Sequence, residues 1–327
     1  MASPLSVIFL GTPSVAATAL KVLRRKERSH GYRIIQVVTQ QPAPPRRRKK
    51  AWTKSPVHEL AESMEIPIVH PSLIKHEIEA LKALEPSLAI TAAYGQLLPA
   101  EFLAIPTYGT YNIHPSLLPK YRGAAPVQRA IERGDTESGV TILKTIRRMD
   151  AGPILCQARH PITKDVTAAE FQEAMFECGA ELLASAIPRI RDGSVKCSPQ
   201  HEISVTHASK ISSEEALLNF SLPAEVLHNK VRAFQPWPGT RGIFRVGSVS
   251  VEIKILSTTV LSADELCSHK VGTVLKATKK SPFLKIVCGG GSCLGILELQ
   301  VVGGKRTSAL AFSNGLQSKK VVVPLGK

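Results

Sequence analysis

Two short stretches of this 327-residue chain carry residue types that could move a proton and hold a developing negative charge. The denser one reads Asn112-Ile113-His114-Pro115-Ser116-Leu117-Leu118-Pro119-Lys120-Tyr121-Arg122-Gly123-Ala124-Ala125-Pro126. Asn112 and His114 are two apart, so on an extended segment both side chains point the same way. An Asn amide can donate to an oxyanion, and a neutral imidazole can pass a proton. Pro115 and Pro119 stiffen the turn that follows. The second stretch is Met149-Asp150-Ala151-Gly152-Pro153. There Asp150 could be a loop carboxylate that orients His114 and stabilises its protonated form. Plainer readings stay open on these residues alone. An isolated Asn-x-His is also what a capped strand end with a structural His looks like, and an Asp before Gly-Pro is also a turn former.

A different chemistry is suggested by Arg46-Arg47-Arg48-Lys49-Lys50, five cations in a Pro-rich stretch over 40–54 that has no periodicity. Such a loop could meet phosphate, or could be a solvated charge run. Lys210, near a junction, and Lys279-Lys280, Lys305-Arg306 and Lys319-Lys320 are further cations of this kind. The chain holds 42 Lys+Arg against 26 Asp+Glu, a formal net charge of +16. The shorter part after residue 204 carries the denser share. Such charge attracts a polyanion, or serves solubility alone.

The elements that must position these groups follow from the hydropathy pattern. Ser6–Leu10 is a short apolar run ending at Gly11, which reads as a buried strand. A helix over Val15–Leu23, capped by Ser14 or Thr12, puts Ala16, Ala19, Leu20 and Leu23 on one face. Strands are expected at Ile34–Thr39, Pro67–Val69, Ser87–Ala92 and Tyr108–Ile113, with helices at Ser55–Glu65 and Lys75–Leu84. Ser55-Pro56 makes a good cap and first-turn pair for the first of these helices. Such alternation implies a mostly parallel, right-handed, doubly wound sheet, which binds ligands at the carboxyl ends of its strands. Longer strands at Gly139–Ile146 and Pro153–Ile162 precede a helix over Ala168–Ile190. The expected division is a first domain over 1–193, a polar linker over 194–212 and a second domain over 213–327. In the last part a helix (Ala224–Phe234) leads into short strands at Gly242–Val246, Val249–Leu256, Val271–Lys276, Leu284–Val287 and Leu294–Val302, the pattern of a small β-barrel. Gly289-Gly290-Gly291 leads to no helix and reads as a hairpin turn, and Trp237 is expected to pack the helix end against the barrel.

Composition excludes several classes. At 43% hydrophobic residues the chain can bury a core, so it is not a disordered segment. No uninterrupted apolar run approaches the roughly 18 residues of a membrane span, and MASPLSVIFL is no secretory signal. The six cysteines are scattered without a CxxC, which argues for reduced thiols and against a disulfide framework or structural zinc.

Asn112-x-His114 followed by Ser116-Leu117-Leu118-Pro119, a basic-Gly segment and Asp150-x-Gly152 resembles the folate-dependent formyltransferases. Gly11-Thr12-Pro13 after the first strand fits as well. Arg122–Gln128, Ser55-Pro56-Val57 and Arg232–Gly239 favour the branch that acts on methionyl initiator tRNA. The resemblance runs from about residue 6 to about residue 305 and is densest over 92–155. It implies an α/β fold with a doubly wound, Rossmann-like sheet, followed by a small OB-like β-barrel that binds tRNA. It places Asn112, His114 and Asp150 as catalytic residues, and Ser116, Leu117, Leu118 and Pro119 as the turn against the folate. The reaction so implied moves a formyl group from 10-formyltetrahydrofolate, a co-substrate, to the α-amine of methionine on initiator tRNA. Asn112 and protonated His114 then hold the oxyanion, and His114 relays the amine proton to the leaving folate nitrogen. No metal is required.

Arg46, Arg47, Arg48, Lys49, Lys50 and Lys210 become the tRNA contacts. In this loop the sequence departs from the family, since Arg46 and Arg48 replace glycines and Ala43 replaces an arginine. A stiffer, more charged loop favours phosphate contact over base readout. Other readings are a further folate-dependent formyltransferase or formyltetrahydrofolate hydrolase, or a non-catalytic RNA-binding relative. The loop resembles that of plant organellar members, so a mitochondrion or plastid is expected, with bacterial cytoplasm as the alternative. No acidic-poor, Arg- and Ser-rich presequence precedes Ser6, so either a processed form or a sequence without its leader is expected. A monomer without membrane partners is expected.

Overall fold

The computed structural model describes residues 3–45, 52–262, 269–316 and 321–323. Strand β1 (Leu5–Gly11) is buried at every position except Ser6, as a strand covered on both faces must be. Helix α1 (Ser14–His30) buries Ala16, Ala19, Leu20 and Leu23 and ends on left-handed Gly31. Neither Ser14 nor Thr12 caps it. Pro13 occupies that position without a side-chain bond, because the Thr12 hydroxyl donates instead to the Tyr94 carbonyl at 3.0 Å. Strand β2 (Tyr32–Val38) and helix α2 (Pro56–Ser63) follow, and the Ser55 hydroxyl accepts from the His58 N–H as its cap. Strand β3 is Ile68–Val69. The helix expected over Lys75–Leu84 is split into a 3₁₀ turn, Ile74–Glu77, and helix α3 (Ile78–Lys82).

Next come β4 (Leu88–Ala92), α4 (Ala100–Leu103), β5 (Thr110–His114), β6 (Arg122–Gly123), α5 (Pro126–Glu132), β7 (Glu137–Lys144), β8 (Ile154–Pro161), α6 (Ala168–Arg191) and β9 (His207–Ala208). The large sheet has the order β3-β2-β1-β4-β5-β7-β8. The first five strands are parallel, and β7 and β8 extend the sheet antiparallel. Strand β1 has β2 on one side and β4 on the other, so the connections diverge here and leave a crevice at the carboxyl ends. Helix α6 lies close on this sheet at Gly179, where a Cβ would come within 2.5 Å of Ile113 Cγ2.

The chain divides into two compact units. One comprises Met1–Pro126, Glu137–Pro161 and Gln172–Ala208; the other comprises Val127–Thr136, Ile162–Phe171 and Ser209–Lys327. The second unit contains α7 (Ala224–Ala233), β10 (Thr240–Val246), β11 (Val249–Leu261), β12 (Val274–Leu275), β13 (Leu284–Val287), β14 (Cys293–Val301), β15 (Arg306–Ser308), α8 (Ala309–Gly315) and β16 (Val321–Val322). Its sheet runs β12-β13-β14-β11-β10-β16 with β15 beside β14. A bridge between Thr273 and Val322, and a bond from the Val323 N–H to the Gly272 carbonyl, bring the two ends of that order together into a nearly closed antiparallel barrel. Phe244, Ile253, Ile255, Ile286 and Leu294 fill it, and Leu227 and Val231 of α7 pack against them. Gly289–Gly291 lies in the β13–β14 hairpin turn. Trp237 does not pack as expected; it is 59% exposed.

Candidate active site

The carboxyl end of β5 delivers Asn112 and His114. Across the β4–β5 pairing Asn112 faces Thr91, whose hydroxyl donates to Asn112 Oδ1 at 2.8 Å. That bond turns the amide so that Nδ2 is its free end, and among the described residues no hydrogen bond engages it. His114 is buried, and its Nε2 stands 3.0 Å from the Tyr121 carbonyl oxygen. A carbonyl only accepts, so Nε2 carries the hydrogen and Nδ1 is the nitrogen that can take or give a proton. Asp150 Oδ1 lies 3.6 Å from that Nδ1.

Asp150 reaches this place from a distant loop. Its backbone is left-handed, with φ of 50°, a conformation Asp tolerates better than most residues. Its Oδ2 accepts from the Gly123 N–H at 2.9 Å. Two residues on, a Cβ on Gly152 would sit 1.7 Å from the Lys144 carbonyl oxygen, so only glycine lets the loop lie against the end of β7. The Asp-x-Gly pattern is therefore a carboxylate plus the close backbone approach that aims it.

These three side chains line one cavity of about 470 Å³, together with Leu97, Leu98, Ile146, Met149 and Phe176 as apolar residues and with Ala93, Tyr94 and Gly95. A few convergent polar groups on an apolar wall are the usual composition of a small-molecule site. Burial pushes the Tyr94 phenol up to about 12, so it keeps its proton at neutral pH.

Ser116, Leu117, Leu118 and Pro119 do not line this cavity. They form the turn behind His114, with Ser116 and Leu118 buried. Thr141 Oγ1 donates to the Ser116 carbonyl at 2.6 Å and accepts from the Leu118 N–H at 3.1 Å, and Gln157 donates to the Leu118 carbonyl at 2.8 Å. The turn is thus tied to the β7–β8 hairpin and fixes where His114 stands. Arg46, Arg47, Arg48, Lys49 and Lys50 lie outside the described residues; the Ala43–Thr53 bridge frames the base of their loop. Lys210 is exposed and belongs to the second unit. Among the described residues no group of three or more His, Cys, Asp or Glu could hold a metal ion, and no helix is long and apolar enough to cross a membrane.

Sequence reasoning missed Thr91, whose part depends on the β4–β5 register, and Gln200, which binds the Asp150 loop from 50 residues away. Arg122 was visible within the basic-Gly segment, but not its partner, Glu202. The Arg122 hydrogen bond holds the Glu202 carboxyl below its ordinary range, and Arg148 adds to this.

Residues 5–187 match the formyl transferase family, and residues 210–317 match the formyl transferase C-terminal domain. The methionyl-tRNA formyltransferase of Brucella anthropi is 37% identical over 318 residues, which is 97% of this chain and 99% of that protein. The enzyme of the same name from Brucella abortus is equally similar, with the same coverage. Among solved structures, the N-formyltransferase from Helicobacter canadensis in complex with folinic acid and dTDP-3-aminofucose shares the fold with a TM-score of 0.64 at 19% identity, over 90% of this chain and 98% of that one. HypX from Aquifex aeolicus in complex with tetrahydrofolic acid has a TM-score of 0.64 at 18% identity, over 97% of this chain and 48% of its own.

Proposed function

The chain belongs to the formyl transferase family, and on that premise we propose that it transfers the formyl group of 10-formyltetrahydrofolate to the α-amine of methionyl initiator tRNA. The observation that carries the proposal is the meeting of an uncommitted amide Nδ2, an uncommitted imidazole Nδ1 and a carboxylate around one cavity. The apolar walls suit a flat heteroaromatic body, and the free Nδ2 suits a carbonyl oxygen beside it. When bound, the folate supplies the formyl carbon on its N10.

The roles of the side chains follow from their partners. As the amine nitrogen bonds to the formyl carbon, negative charge grows on the formyl oxygen. Asn112 Nδ2 is the donor placed for it, pre-oriented by Thr91, and such a donor is worth about 10²–10³ in rate. The amine must lose a proton, and the leaving nitrogen must gain one as its bond to the formyl carbon breaks. His114 Nδ1 is the group that carries this proton, because Nε2 is committed to Tyr121. Asp150 Oδ1, 3.6 Å from Nδ1, stabilises the charge of the ring once it is protonated. Ser116–Pro119 act from behind the wall, holding His114 in place.

On the tRNA side, Lys210 and Arg46–Lys50 are the proposed phosphate contacts, a reading supported by their charge and by the resemblance of the loop. That resemblance also supports an organellar site, in a mitochondrion or plastid, although the relatives named above are bacterial. The testing experiment is transfer of labelled formyl from 10-formyltetrahydrofolate to charged initiator tRNA, an amino-sugar nucleotide, or water. Formyl-methionyl-tRNA is the expected product. Transfer only to the sugar, or release of formate alone, overturns the proposal.

A further inference from the structure

The polar stretch after α6 grips the catalytic loop. Ser198 pairs with Ile154 at the start of β8, its N–H and carbonyl bonded at 2.8 and 2.7 Å. Thr206 accepts on Oγ1 from the Tyr121 N–H at 2.8 Å, and its carbonyl accepts from the Arg122 N–H at 2.9 Å. Strand β9 then pairs with β6. Between these anchors stands Gln200. Its Nε2 donates to two carbonyls of the loop, Asp150 at 2.8 Å and Gly152 at 2.7 Å. Its Oε1 accepts from Arg122 Nε at 3.0 Å and Nη2 at 2.8 Å.

The direction of this amide is not free. Arg122 is buried and permanently charged, so it demands an oxygen. The NH2 end must then point at the two carbonyls, which demand a donor. A reversed amide would set NH2 against guanidinium and oxygen against two oxygens. Fixing the carbonyls of Asp150 and Gly152 on one nitrogen fixes the Asp150–Ala151 and Gly152–Pro153 peptide planes. Those planes hold Asp150 in its left-handed conformation, with its carboxylate between the Gly123 N–H and His114 Nδ1. Arg122 and Arg148 both bond Glu202, which adds a second tie from the same stretch to the same loop.

We propose that Gln200 is a positioning residue for formyl transfer, aiming the Asp150 carboxylate at His114 by holding the carbonyls of Asp150 and Gly152. This rests on the reading of His114 and Asp150 given above. Gln200 touches no reacting atom; its effect passes through Asp150.

The decisive variant is Gln200→Glu, which keeps an acceptor for Arg122 but removes the donor to both carbonyls. Gln200→Leu, which removes both functions, is the second variant. Each is compared with Asp150→Asn and with the double variant Gln200→Glu/Asp150→Asn. The measurement is single-turnover formylation of charged initiator tRNA at saturating folate with enzyme in excess, whose rate constant does not depend on the fraction folded. Gln200→Glu is expected to slow transfer about 10- to 100-fold, the scale of a small misplacement at a reacting centre. KM for both substrates should change less than about threefold, and the double variant should be no slower than Asp150→Asn alone. If Asp150→Asn transfers at the wild-type rate, the catalytic reading itself fails. If Asp150→Asn is slow while Gln200→Glu and Gln200→Leu are both fast, this inference alone fails. Multiplying effects in the double variant also overturn it, because Gln200 would then act other than through Asp150.

Discussion

Each of the two units buries a histidine beside an aspartate, and only one of the pair is available for chemistry. In the first unit His114 gives one nitrogen to a backbone carbonyl and leaves Nδ1 open, with Asp150 Oδ1 at 3.6 Å. In the second unit His228 has Nδ1 at 3.0 Å from Thr258 Oγ1 and Nε2 at 3.0 Å from the Lys164 carbonyl, and Asp165 Oδ1 also stands 3.6 Å away. The cavities they line are alike in size, about 470 and 460 Å³. The carboxylates differ. The Asp150 side chain is 12% exposed and bonded to Gly123, whereas Asp165 is 85% exposed. A buried histidine near a carboxylate in a pocket is thus no sufficient sign of a catalytic centre. An uncommitted nitrogen and a fixed, shielded carboxylate distinguish His114, the proposed catalytic residue, because a ring with both nitrogens engaged must break a bond before it can move a proton.

That contrast can be broken at each of its members. His114→Ala should lower kcat about 10²- to 10⁴-fold while tRNA binding survives, as read by single-turnover formylation and filter binding. The matching His228→Ala should leave kcat unchanged and destabilise the fold by about 1–3 kcal/mol, seen as a lower Tm, since it strands the partners of one buried and one part-buried hydrogen bond. An equal loss of kcat in both variants would erase the distinction. Asn112→Ala should cost about 10²–10³ in kcat with little change in KM, because the amide acts on charge that develops only during transfer. Asp150→Asn should slow transfer at least about tenfold. Asp165→Asn should change neither rate nor stability beyond about 0.5 kcal/mol, as for most exposed substitutions. Replacing Arg46, Arg47 and Arg48 by Ser should leave the chemical step alone and weaken tRNA binding. The slope of log K against log salt should flatten by roughly 0.7–0.9 for each phosphate that is no longer neutralised; an unchanged slope would make the loop a solvated charge run.

The legible parts of the molecule are those whose signal is local. The apolar run at Ser6–Leu10 and the one-sided face of Ala16, Ala19, Leu20 and Leu23 announce β1 and α1 without any partner in view. Asn112 and His114 announce themselves by a two-residue spacing on an extended segment. Elements with weak periodicity stay hidden, including α5, α8, β15 and the short β16. The α1 cap differs from the one expected because Thr12 has a better partner in Tyr94, 82 residues away. Trp237, flanked by prolines, looks like a packing residue and is mostly exposed.

Within the site, residue types and spacing alone determined that an amide and an imidazole leave one strand on one side, and that an aspartate sits two residues before a glycine. The backbone periodicity and the requirement of a tight turn carry that much. Only the tertiary structure decided that the aspartate meets the imidazole, that Thr91 frees the nitrogen end of the Asn112 amide, and that Gln200 clamps the loop. Those contacts join residues from 21 to 50 positions apart through strand register and a single amide orientation. Hydrogen-bond partners at that separation leave no periodic mark along a chain, because what selects them is the geometry of the assembled sheet.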